Sequence, residues 1–113
     1  MAYKYIITVP ASKDLIKIAS YISETLKNPI AADELIKDIM KTLEIICSFP
    51  RVCPIYTNKY IDNTPVRFKS IRKYLMLYRI DEKKKLIVVD HIVYAGRDLE
   101  NSFDKLSDSS SKE

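Results

Sequence analysis

Cations and tyrosines stand close enough in one stretch of this sequence to share a surface. Arg67 and Lys69 are two apart, Arg72 adjoins Lys73, Tyr74 and Tyr78 bracket Met76, and Tyr94 precedes Gly96, Arg97 and Asp98. Residues two apart on a strand project from one face. If the strands carrying these groups are neighbours, guanidinium and ammonium groups can hold phosphates while phenol rings stack on splayed bases. That combination suits RNA. The same alternation has plainer outcomes: charges on the wet face of a strand, and half-buried tyrosines used for packing. His91 stands three residues before Tyr94, so on a regular strand the two point oppositely; with Tyr94 at the site, His91 falls on the core side. Gly96 is the only glycine in the chain, which marks a backbone requirement at the end of that strand.

Other chemistries find no residues. Cys47, Cys53 and the lone His91 are too few for a disulfide scaffold or a zinc site, and the cysteines read as small buried thiols in a reducing compartment. No nucleophile triad, carboxylate pair or glycine-rich phosphate loop can be composed, so neither a metal nor a nucleotide cofactor is expected. No uncharged apolar run approaches the roughly 18 residues of a membrane span. The N-terminus lacks the apolar length and cleavage site of a signal peptide. The expectation is a cytoplasmic protein.

At 113 residues with 47% hydrophobic side chains, the chain can bury one core and order itself around it. Its charge of +4 is unevenly spread. Residues 1–50 carry six lysines and six acids, a balance of zero. Residues 51–97 carry eleven Lys and Arg against four acids, +7, and residues 98–113 two lysines against five acids, −3. A basic segment beside a neutral one suggests a surface facing a polyanion. An acidic tail after it could lie beside that surface and partly mask it.

The elements that must position these groups are legible in outline. Residues 3–9, YKYIITV, read as a strand stopped by Pro10. Ser12 can cap a helix over about 13–27, with Leu15, Ile18, Ala19, Ile22 and Leu26 as its apolar stripe. Asn28 and Pro29 are a cap and a first-turn proline that restart a second helix, striped by Ala32, Leu35, Ile36, Ile39, Leu43 and Ile46 and stopped by Pro50. So short a break forces a helical hairpin. Residues 51–63, with Pro54 and little periodicity, read as a loop. Strand-like runs follow at 66–71, 74–80 and 86–94, the last two joined by the polar turn DEKKK, whose Lys83 to Lys85 form a solvated tip. The order asks for an α+β domain over residues 1–103: an N-terminal strand, a two-helix hairpin on one face, and three antiparallel strands in one sheet. Residues 104–113 read as a polar, disordered tail.

The order and spacing of ASKDLIKIASYI, LKNPIAADELI, SFPRVCP, RKYLMLYRIDE and HIVYAGRD resemble the RelE/ParE superfamily of type II toxin–antitoxin toxins, the plasmid-stabilisation proteins, over about residues 3–103. The resemblance implies a microbial-RNase-like α+β toxin neutralised by a cognate antitoxin. It leads first to a ribosome-dependent mRNA endoribonuclease that inhibits translation, with the ribosome and mRNA as partners. The alternatives are a ParE-like poison of DNA gyrase with no RNA cleavage, or an inactive antitoxin-binding relic. By position, Tyr94 falls where many members have a catalytic or near-catalytic His or Tyr. Arg97 matches the basic residue after it, and Arg67 the arginine on the preceding strand. These three are the expected catalytic set; Lys69, Arg72 and Lys73 are expected to bind RNA without a firm match in the family. In such a nuclease Arg67 and Arg97 would stabilise the phosphate charge and Tyr94 would move the proton, with no metal because the ribose 2′-OH is the nucleophile. The base Glu or extra His, Lys and Arg groups of better-studied nucleases have no match here.

Overall fold

A computed structural model describes residues 3–61 and 63–95, with backbone alone for 57–59. Expectations resting on Gly96, on Arg97 and on residues 98–113, including the domain end at 103, the tail and its masking role, lie outside the described residues. Strand β1 (Lys4–Ile7) leads into helix α1 (Val9–Ser20), a π-helical turn (Tyr21–Thr25), helix α2 (Pro29–Ser48), and strands β2 (Ile55–Ile61), β3 (Thr64–Ile71), β4 (Tyr74–Asp81) and β5 (Leu86–Tyr94). The sheet runs β1-β5-β4-β3-β2. β1 lies parallel to β5, and every other neighbouring pair is antiparallel.

The α+β outline, the hairpin and the three late strands are as expected. Three details differ for physical reasons. First, α1 begins at Val9 rather than beyond Ser12. Thr8 Oγ1 accepts from the Ala11 amide at 3.3 Å and donates to the Val89 carbonyl at 2.8 Å, tying the cap to β5. Pro10 sits in the first turn, where its missing N–H has no partner to lose. Second, α1 loosens into the π turn, with the Leu26 amide donating to the Tyr21 carbonyl five residues back at 3.0 Å. Lys27 then takes a left-handed φ of 53°, and Asn28 Oδ1 caps α2 through the Ala31 amide at 3.1 Å. Third, residues 55–61 form an edge strand where a loop is expected. β2 pairs Ile55 with Arg67 and Tyr60 with Pro65, with an irregularity between; only pairing with β3 makes it a strand.

The main core lies between the hairpin and one sheet face. Ala32, Leu35, Ile39, Leu43 and Ile46 of α2 pack there with Ile71, Met76, Tyr78, Ile87, Val89 and Ile92. Of the expected stripe on α1, Leu15, Ile18 and Ala19 pack against this core and Leu26 is exposed. A second cluster on the opposite face joins Val66, Leu75, Leu77 and Ala95, flanked by Tyr56, Ile61, Phe68 and Val93. β4 is central, so it reads as a near-continuous apolar run instead of alternating. Among the described residues no helix is long and apolar enough to cross a membrane.

Candidate functional site

Tyr74, Met76 and Tyr78 do share a face, but it is the face under the helices. Met76 and Tyr78 are fully buried, and Tyr78 Oη donates to the Pro50 carbonyl at 3.0 Å. No base can stack on that ring. Opposite Tyr78 on β3 is Arg67, whose guanidinium donates to the Cys53 carbonyl at 2.6 Å. These two bonds pin the segment leaving α2 onto the sheet. Arg51, in the same segment, pairs with Glu82, and Arg51, Arg67 and Glu82 line a cleft of about 270 Å³ together with Thr64 and Ile80.

Tyr94 lies elsewhere. It stands opposite Tyr74, the two rings meeting edge-on at 5.5 Å. Arg67 is level with Tyr78 and Tyr94 with Tyr74, so four residues of β4 separate them lengthwise. At 3.3 Å per residue and 4.8 Å per strand, their backbones stand about 16 Å apart. Arg72 occupies the β3–β4 turn with a left-handed φ of 56° and is held by α2, 2.7 Å from Asp38 and 3.6 Å from Glu34. The Asp38 hydrogen bond and charge raise its pKa further, so its cation is already answered. Lys69, opposite Met76, and Lys73, in the turn, are exposed.

His91 is a partly exposed neighbour of α1 instead of a core residue. β5 carries one extra residue, Asp90, as a bulge between the Tyr78–Val89 and Leu77–His91 pairs. From His91 to Tyr94 the pairing is regular, so the two do point oppositely, but it is Tyr94 that shares the face of Tyr74 and the main core. Asp14 Oδ2 accepts from the Ile92 amide at 3.1 Å and lies 3.3 Å from His91 Nδ1. β1 has already ended at Ile7, level with Val89, so this carboxylate takes a backbone donor that β5 would otherwise leave open.

The structure also gathers a residue the sequence did not single out. Tyr74 has a phenol pKa raised by burial first, then by Tyr94 and Tyr21 beside it. Tyr21, at the start of the π turn, is exposed, as is Tyr94. No spacing rule brings Tyr21 beside side chains 53 and 73 positions later; its one signal is an aromatic residue at the end of an otherwise polar helix face.

Tyr78 and Cys47 are likewise pushed above their usual ranges by burial. Held neutral in the fold, these groups release protons first from the unfolded chain. Their contribution to stability is therefore level below about pH 9 and falls as pH rises through the ordinary thiol and phenol range of about 9 to 10. Urea midpoints from pH 7 to 11 should show this fall, and Tyr78→Phe should make it shallower; an unchanged slope would contradict the assignment.

Residues 5–99 match the sequence profile of the ParE toxin of type II toxin–antitoxin system, parDE. The chain belongs to the ParE toxin family. Solved structures agree on the fold. The chromosomal ParDE toxin–antitoxin system from P. aeruginosa is 17% identical with a TM-score of 0.63, over 82% of this chain and 96% of that one. The isolated E. coli RelE toxin is 21% identical with a TM-score of 0.56, over 91% and 95%. The toxin–antitoxin complex RelBE2 from Mycobacterium tuberculosis is 19% identical with a TM-score of 0.55, over 83% and 99%. No curated protein sequence matches. This ParE-family chain is thus a toxin of a type II toxin–antitoxin system on the fold shared by ParE and RelE.

Proposed function

We propose that this toxin acts as a ParE-type poison of DNA gyrase, by binding and without cleaving RNA, and is neutralised by a cognate antitoxin. The observation that carries this reading is the separation of Arg67 from Tyr94, the two expected catalytic residues among those described. The Arg67 guanidinium is turned to the Cys53 carbonyl, and its backbone stands about 16 Å from that of Tyr94; of the expected RNA-binding residues, Arg72 is paired with Asp38. General acid–base catalysis needs its groups within hydrogen-bond reach of one substrate. A binding surface has no such requirement. The buried cores on both sheet faces suit a rigid body that docks on a larger protein.

Reconstituted translation with the purified toxin and mapping of mRNA 5′ ends tests this directly. The expected result is intact mRNA at toxin concentrations that arrest growth. Codon-phased cuts that disappear in Tyr94→Phe would overturn it. Such cuts would favour the second reading, a ribosome-dependent endoribonuclease using Tyr94 with Arg97 and with Lys69 and Lys73 on the RNA. That reading draws on the exposure of Tyr94 at the end of β5.

A further inference from the structure

The β4–β5 turn and the start of β1 gather lysines at one corner of the sheet. Lys83, Lys84 and Lys85 are all exposed, and so is Lys4. Lys4 pairs in register with Leu86, and its amide donates to the Lys85 carbonyl at 3.1 Å. The four Cα atoms therefore lie within about 12 Å of one another. Turn geometry holds the array in place. Asp81 Oδ1 accepts from the Lys84 amide at 3.1 Å, and Lys85 takes a left-handed φ of 54°, a conformation that glycine reaches more easily. The described arginines are engaged within the fold: Arg51 with Glu82, Arg67 with the Cys53 carbonyl, Arg72 with Asp38 and Arg79 with Asp90. Among the described residues, none of the four lysines forms an ion pair. Acids stand at this corner too, but fewer. Asp81 is held in the turn, Glu82 answers Arg51, and Glu44 of α2 lines a shallow cavity with Lys4. With Arg51 included, five cations meet these three carboxylates.

Ammonium groups at this density select a polyanion, and the composition of the corner narrows which one. A DNA duplex carries one charge per about 1.7 Å of its axis, so a 12 Å span of lysines meets several phosphates at once. Single strands are less densely charged and are gripped largely through stacking on aromatic rings. The turn has no ring of its own, and the Tyr3 ring beside it has the Lys85 ammonium 5.7 Å from its centroid. Residues 81–85 include no apolar side chain to enter a membrane or a protein pocket. Lysine, a compact and strongly hydrated charge, suits phosphates without fixing their geometry. We propose that Lys4, Lys83, Lys84 and Lys85 form a contact for the phosphate backbone of duplex DNA, the DNA that gyrase holds while the toxin is bound to it. Such a contact positions the toxin and carries no sequence preference. Its setting rests on the gyrase reading; the contact itself is measured without gyrase.

The test is fluorescence anisotropy of a labelled 30-base-pair duplex titrated with the purified full-length toxin, between about 50 and 200 mM salt. Lys83→Gln combined with Lys84→Gln should weaken binding about tenfold or more at the lower salt. The slope of log affinity against log salt should become shallower by about 2, one unit per lost phosphate contact. Lys37→Gln with Lys41→Gln removes the same charge from the exposed face of α2 and should change affinity by no more than about threefold. Thermal unfolding of both double variants separates lost binding from lost fold. Equal losses in the two, or an unchanged salt slope, would overturn the proposal. So would binding through the same lysines that is tighter to a 30-nucleotide RNA, or to phosphatidylserine vesicles, than to the duplex. With gyrase and plasmid, the Lys83–Lys84 variant should need about tenfold more toxin than the wild type for the same amount of cleaved DNA; equal potency there would also overturn it. A wild-type toxin inert on gyrase would sink the gyrase reading instead, while duplex binding that depends on these lysines would still uphold the contact.

Discussion

Asp90→Ala should cost the domain about 3–5 kcal/mol. Asp90 is the bulged residue of β5, and its carboxylate takes two hydrogen bonds from Arg79, at 2.7 and 2.9 Å. The side chains are only 9% and 18% exposed. Truncation removes the carboxylate that takes both of these bonds from a guanidinium largely shielded from water, and breaking one side of such a buried pair is what destabilises. Against a total stability of about 5–15 kcal/mol, the thermal midpoint should fall by about 15 °C or more. The double change Arg79→Met with Asp90→Leu removes both charges and should recover most of the loss. Urea and thermal unfolding decide it. A loss under 1 kcal/mol in Asp90→Ala would show that the pair is solvated in solution.

Tyr78→Ala should cost a similar 3–5 kcal/mol, and it separates two accounts of the tyrosines on β4. The ring is fully buried in the main core and its hydroxyl anchors Pro50. Truncation therefore opens a cavity and frees the segment leaving α2. Tyr78→Phe keeps the packing and loses one hydrogen bond, about 1 kcal/mol. Had Tyr78 served as a base-stacking platform, Tyr78→Ala would spare stability and weaken RNA binding. Chemical denaturation of the two variants beside the wild type distinguishes these outcomes.

Local signals were enough for most of the fold. The helical stripe from Ala32 to Ile46, the Asn28 cap and the three late strands each depend on neighbours close in sequence, and all appear where such neighbours put them. What depended on distant partners was illegible. β2 is a strand only because β3 lies beside it. The start of α1 is set by Thr8 reaching Val89, 81 residues away. The same limit governs the site. Alternation correctly placed Tyr74, Met76 and Tyr78 together, yet it cannot say which face the helices cover, and they cover that one. A cation also looks alike in sequence whether it awaits a phosphate or serves the fold; Arg67 and Arg72 prove to have carbonyl and carboxylate partners within the chain. Tyr21 joins Tyr74 and Tyr94 only once the hairpin has folded.

The most direct test of the central claim is a supercoiling assay: purified gyrase, relaxed plasmid, ATP and increasing wild-type toxin. The account predicts loss of supercoiling with accumulation of cleaved plasmid, relieved when the antitoxin is added in equimolar amount. Full supercoiling at toxin concentrations that halt growth would contradict it.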